Sequence, residues 1–324
     1  VIQKIYRKVM RRMFPKKTEE EIYSTNPGIM GGNVVELEQD MLTVKSFPKR
    51  MIPCEMDASG SGFENHAFFE ASSIRKIGDT YYFIYSSSAN HELCYATSKY
   101  PDREFRYGGV IISNGDIGIK GRKGKDRVAV TGNNHGSIEC IHGEWYIFYH
   151  RHTHMSSNSR QGCAERIKIC ENGFIPQVKM TSCGLNQGAL AADGDYPAVI
   201  ACNLTDGKMP HIGNGVCRQK KPHITHKKEE RFITQIQDHT LIGYKYFCFE
   251  GKTKIFVMTS GTGSGKFLVC NRPGEMLGEI MIRPSKKWIE NETVIDAEGT
   301  HALYFIFKGK GTVEFLRFGF AKES

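Results

Sequence analysis

A chain of 324 residues with 44 Lys and Arg against 35 Asp and Glu, net +9 at neutral pH, has room for two domains with their own cores. Its 40% hydrophobic and 11% aromatic content and 34 glycines suit a turn-rich β protein, and no apolar run reaches the length of a membrane span. The basic surplus gathers at Lys4, Arg7, Lys8, Arg11, Arg12, Lys16 and Lys17 and again at Lys220, Lys221, Lys227 and Lys228, without stacking aromatics between, which argues against a nucleic-acid partner.

Residues 1–17 set Ile2, Ile5, Val9, Met10 and Met13 at helical spacing, predicting a basic amphipathic helix. Gly31 to Glu38 and Leu42 to Lys45 read as two strands about a turn at Gln39-Asp40. From Gly62 to Ser98 three strands follow one another. The Ile74–Ile77 and Thr80–Tyr85 segments flank a tight Gly78-Asp79 turn, and Glu70 stands in Phe68-Phe69-Glu70-Ala71-Ser72. Burial against Phe68 and Phe69 would favour the neutral form of that acid. Strands on either side of Pro101-Asp102 complete a four-strand unit ending near Ile112, and a similar outer half is expected over Arg160–Glu165 and Gly173–Val178.

The unit recurs. A shift of 64 residues lays Ser73-Ile74, Ile77, Tyr82 and Tyr85 on Ser137-Ile138, Ile141, Tyr146 and Tyr149, with the turn Gly78-Asp79 on His142-Gly143. Meanders repeated at a fixed period signal a radial array such as a β-propeller, where equivalent positions converge on the axis. Glu70 then matches Asn134, beside His135, in the turn Gly132–Ser137. Two complete blades and one half blade cannot close a ring, so the chain is expected to lack upstream blades. His150, His152 and His154 end the second inner strand at alternate positions, which would put their rings on one face, as a cleft rim or, with further ligands, a zinc site.

Pro210 to Arg231 is polar and basic and reads as a linker. Beyond it, strand candidates at 242–249, 254–258, 266–270, 278–282 and 301–307 predict a β-sandwich. The segment Gly261-Thr262-Gly263-Ser264-Gly265-Lys266 fails the phosphate-loop pattern, because Ser260 stands where the first Gly belongs and Phe267 where Ser or Thr would hold magnesium. The ten cysteines form no C-x-x-C pair and read as reduced core thiols. No signal peptide is visible, and a cytoplasmic protein is expected. The expected division is 1–209, propeller blades, and 210–324, sandwich.

The motifs Phe69-Glu70-Ala71-Ser72-Ser73 with Tyr81–Ser86, and Asn134-His135-Gly136-Ser137 with Trp145–His150, resemble glycoside hydrolase family 43 over roughly Gly31 to Leu204. The tail, with Trp288 and Gly299–Gly309, is similar to family 6 carbohydrate-binding modules. This resemblance implies an all-β chain, a partial five-bladed β-propeller followed by a β-sandwich. It also implies an inverting α-L-arabinofuranosidase or β-xylosidase type of activity on arabinose- or xylose-containing plant polysaccharides, with no required cofactor.

By the same resemblance Glu70 is the general acid, His135 lies near a metal such as calcium or a water on the axis, and Arg160 contacts substrate, although Ser159 replaces the family's Gly before it. Asn134 and His150 border the same pocket. The family's base and its pKa-modulating residue are aspartates of earlier blades, and Asp57, Glu64 and Asp116 stand in neither motif. The alternative is a non-catalytic carbohydrate-binding protein whose tail holds the sugar on Trp288, Tyr244 or Tyr304, residues that could equally be core.

Overall fold

The aromatic and β-branched runs become strands throughout the computed structural model, which describes Arg12 and residues 30–322. The helix expected over 1–17 lies outside the described residues, Arg12 excepted. Two units are distinguished: 30–89 with 96–107, and 90–95 with 108–322.

The first unit opens with the antiparallel pair β1 (Gly31–Val34) and β2 (Lys49–Pro53). The second strand starts later than expected, because 36–46 folds into a small turn closed by a Leu37–Val44 bridge. β3 (Phe68–Ile77) and β4 (Thr80–Ser87) form the hairpin, with Gly78 at φ 57° in the turn. Phe68, Phe83, Tyr85 and Phe105 pack as tilted or edge-on rings about 6 Å apart. The strands β5 (Glu92–Ser98) and β6 (Arg106–Ser113) are each divided between the two units.

In the second unit β7 (Ser137–Ile141), β8 (Glu144–Thr153) and β9 (Ser156–Ile167) form a three-stranded sheet. Its hairpin reproduces the first one pair for pair: Ile77 faces Thr80 and Ser73 faces Ile84, as Ile141 faces Glu144 and Ser137 faces Phe148. Here the turn uses His142 and Gly143, both at positive φ. The expected fourth strand over 173–178 does not form. Val178 instead makes a single parallel bridge to Ile112.

The β-sandwich follows, on one apolar core that includes Tyr244, Phe247, Phe267, Phe305, Phe315 and Phe318. Its strands are β10 (Leu190–Ala191), β11 (Gly194–Pro197), β12 (Asn203–Thr205), β13 (His223–Lys227), β14 (Glu230–Ile236), β15 (Leu241–Gly261), β16 (Ser264–Arg272), β17 (Glu275–Ile282), β18 (Ser285–Lys310) and β19 (Val313–Lys322). β15 and β18 pair antiparallel along most of their lengths. Candidates 242–249 and 254–258 are thus one strand, and β18 extends far upstream of 301. The glycine-rich segment is the turn from β15 to β16.

Three of these strands, β10 to β12, precede position 210 and pair with β15 or β19, so the sheet begins upstream of the expected division. Nor is Pro210 to Arg231 a free linker. His223–Lys227 pairs with β14, and Thr131, Ile212, Ser157 and Gly215 exchange backbone hydrogen bonds that bind its first half to the β7–β9 sheet and its leading turn. All ten cysteines are free: Cys54, Cys94, Cys202 and Cys270 are buried, while Cys140 and Cys248 are exposed, against the expectation of core thiols throughout.

Candidate active site

Glu70 lies in the first unit, on a part of β3 that departs from regular pleating. Its pairing with Ser86 is flanked on both sides by register shifts, and Ala71, the next residue, sits at φ 63°. Such bulges turn a side chain away from the direction that alternation would dictate, and a left-handed alanine is tolerated only where surroundings enforce it. Glu70 is half-buried, whereas Phe69 is 54% exposed and so does not supply the apolar cover expected of it.

The other candidates gather in the second unit. The turn 132–136 has no regular structure, and a Cβ on Gly132 would overlap the His152 ring and lie 2.8 Å from the Ile212 carbonyl oxygen, so only glycine fits. Asn134 is fully buried; its Oδ1 accepts the His150 backbone N–H at 3.3 Å, while Asn114 Nδ2 donates to the His150 carbonyl at 3.1 Å. His150 is thereby gripped through its backbone from both sides. Its ring packs edge-on against His135, centroids 5.4 Å apart, and stacks on His152 at 5.8 Å. His152 Nε2 donates to Asn133 Oδ1 at 2.6 Å, and Arg160, in register with His152, brings Nη1 to 3.4 Å from His135 Nδ1.

This cluster has unspent hydrogen-bonding capacity. Asn114 Oδ1, Asn134 Nδ2, both ring nitrogens of His150 and Nδ1 of His152 are buried without a protein partner, a costly state unless water or a ligand completes it. Burial, assisted by the Arg160 charge and the neighbouring imidazoles, pulls the His150 pKa down to about 3 and that of His152 to about 4. Both are therefore neutral donor–acceptor rings beside a fixed guanidinium, a set suited to sugar hydroxyls.

Calcium takes oxygen ligands, and neither the His150 imidazole nor the Arg160 guanidinium beside His135 supplies one. His154 leaves the row expected of it. It sits at φ 55° after β8 ends, bonds His226 Nδ1 through Nε2 at 2.8 Å and completes no triad with His150 and His152.

Of the carboxylates left aside, Asp57 pairs with Arg50 at 2.6 Å, Glu64 is exposed, and Asp116, 3% exposed, accepts from Lys245 Nζ at 2.9 Å and the Met180 N–H at 2.7 Å. Asn114, Thr131, Asn133 and His211 belong to or border the cluster and were not singled out from the sequence, while His152 was named only in the row with His150 and His154. Asn133 and His152 were open to it by adjacency to Asn134 and by the two-residue spacing from His150; His211 lay in a stretch without alternation. In the sandwich, Tyr244 is fully buried and donates to the Ala198 carbonyl, which removes it as a platform. Trp288 lines a cavity of about 510 Å³ with Phe232, Lys227, Lys287 and Glu314, and its Nε1 donates to Glu230 at 3.1 Å.

No family model matches the chain. Over 299 residues it is 46% identical to a xylosidase/arabinosidase of Thermoclostridium stercorarium, taking in 89% of this chain and 63% of that protein. It is also similar to a crystal structure of a glycoside hydrolase family 43 arabinoxylan arabinofuranohydrolase from Bacillus subtilis, 20% identical with a TM-score of 0.46, over 95% of this chain and 62% of that one. The tail is similar to a family 6 carbohydrate-binding module from Clostridium cellulolyticum, 13% identical with a TM-score of 0.34, over 41% of this chain and 99% of that one. The chain thus spans a little under two thirds of the length of the curated relative it matches at 46% identity. With that identity running through nearly nine tenths of its residues, the chain is related to a protein of the xylosidase/arabinosidase kind.

Proposed function

We propose that the protein is a glycosidase acting on arabinose- or xylose-containing plant polysaccharides or their oligosaccharides, of the α-L-arabinofuranosidase or β-xylosidase type and inverting, with Glu70 as general acid. The observation that carries this reading is the bulged, half-buried seat of Glu70, next to a left-handed alanine, in a chain so similar to a xylosidase/arabinosidase. An inverting glycosidase needs a protonated acid at the leaving oxygen and an ionised base activating water from the opposite face, about 6.5–9.5 Å apart. Glu70 takes the first role.

Asp57, Glu64 and Asp116 are ill suited to the second, being ion-paired, exposed, or buried against Lys245. Asn134, His135, His150 and Arg160 bind the sugar. The neutral imidazoles donate to and accept from sugar hydroxyls, and Arg160 supplies a fixed charge. No step requires a cofactor; calcium near His135 would be held through water. The blades carry the chemistry, and the sandwich is a carbohydrate-binding module.

The test is hydrolysis of 4-nitrophenyl α-L-arabinofuranoside and β-D-xyloside by a form that includes the length its relatives carry beyond this chain. Turnover, with an inverted anomer as first product by NMR, supports the reading; no turnover of either substrate rejects it. A second reading, sugar binding without catalysis, is favoured by the Trp288 cavity. It predicts oligosaccharide binding that Trp288→Ala abolishes and Glu70→Gln leaves intact, with no hydrolysis.

A further inference from the structure

The segment 210–217 is a strap bound at both ends to the elements that carry the sugar-site candidates. At one end the Thr131 N–H bonds the Pro210 carbonyl and the Ile212 N–H bonds the Thr131 carbonyl. At the other, Ser157 and Gly215 exchange two hydrogen bonds of 3.0 and 2.9 Å, and the Cys217 N–H bonds the Met155 carbonyl. His211 lies in register with Thr131, the residue before the turn that bears Asn133, Asn134 and His135.

Its ring is held as well as its backbone. Thr131 Oγ1 lies 3.3 Å from Arg127 Nη1, which donates to it, and 3.0 Å from His211 Nδ1, to which its hydroxyl proton is free to point. With the threonine as donor, Nδ1 is the acceptor and Nε2 carries the proton. No described residue accepts from Nε2, and His211 is exposed, although His152, His91 and Arg127 all lie close enough to interact electrostatically. An imidazole oriented by two side chains on a rigid strap, with an outward donor to spare, has already lost the freedom that binding would otherwise cost.

We propose that His211 forms a further sugar subsite, in which Nε2–H donates to a hydroxyl of the neutral pentose next to the one bound by Asn134, His135, His150 and Arg160. This rests on the sugar-site reading above and goes beyond it by assigning to the strap the recognition of a second residue of the oligosaccharide.

The experiment is calorimetric titration of the full chain with xylotriose and with xylose, in a Trp288→Ala background that silences the sandwich cavity, comparing His211, His211→Ala and His211→Gln. One hydrogen bond to a neutral hydroxyl corresponds to about fivefold in Kd. We expect His211→Ala to weaken xylotriose binding by about that factor, His211→Gln to restore most of it, and xylose binding to stay unchanged. In parallel, the His211 ring resonances should move on titration with xylotriose and not with xylose, a readout that does not depend on a variant folding. Equal affinities for xylotriose with and without His211, or equal losses for both sugars, would overturn the subsite; the latter would mark His211 as a mere prop for Thr131. Failure of the His211-containing chain to bind either sugar would instead overturn the sugar-site reading itself, and the subsite with it.

Discussion

His150 and His152 stay uncharged at pH values where a free imidazole takes up a proton. Their folded pKa values, about 3 and about 4, lie below the usual 6.5, so as pH falls the unfolded chain binds protons first and the fold loses stability from about pH 6.5 downward. Glu165 acts in the opposite direction. Burial raises it to about 7 although Thr181 and Tyr149 donate to it, so its folded form holds a proton that the unfolded chain has lost above about pH 4.5. That contribution favours the fold at low pH and disappears as pH rises through 7.

From pH 7 to 5 the two histidines together cost about 4 kcal/mol and Glu165 returns about 2, leaving a net decline in stability. Urea unfolding at the two pH values should show that decline, and Glu165→Gln should make it steeper. A flat profile in both proteins would contradict the burial of uncharged imidazoles.

At the scale of elements, the twin hairpins were readable because the 64-residue shift preserves apolar positions and turn together, and their registers coincide as that shift requires. The strap was not readable. Its polar residues lack alternation, and its structure comes from backbone bonds to Thr131 and Ser157, which no local pattern encodes. β10 to β12, two to four residues long, escaped for the same reason: partners far along the chain make them strands. The structure does gather Asn134, His135, His150 and Arg160, which motif position had named together, while the flaring of His154 from its row depended on where β8 stops.

Glycines separate the two kinds of element. Gly132→Ala should cost about 1–3 kcal/mol and break the His152–Asn133 bond, because a methyl group there meets a ring and a carbonyl that cannot both retreat. Gly162→Ala, on β9 with open space around it, should be neutral or stabilising by up to about 1 kcal/mol. Thermal unfolding of both variants decides; equal losses would show that the turn is not constrained as described.

Within the second unit as a whole, the sandwich is joined by buried polar bonds to the turn after β6 and to the β7–β9 sheet, the latter also held by the strap. Lys245 of β15 reaches Asp116 with both side chains under 10% exposed, and Arg151 of β8 donates to the carbonyls of Val199 and Ala201. A buried pair tolerates loss of both charges better than loss of one. Lys245→Met should therefore cost about 3–5 kcal/mol in denaturant unfolding, and adding Asp116→Leu should recover part of it. Additive losses would contradict a coupled pair.

The central claim concerns the protein's chemistry: Glu70 gives its proton to the departing glycosidic oxygen. A good leaving group needs no such proton, so the most direct measurement compares kcat/KM for Glu70 and Glu70→Gln enzymes, in the longer form, on an arabinosylated xylooligosaccharide and on a 2,4-dinitrophenyl glycoside. The account predicts a loss of about 10²–10⁴-fold on the oligosaccharide and less than about tenfold on the activated substrate. Losses of equal size on both substrates, or no loss on the oligosaccharide, would contradict it.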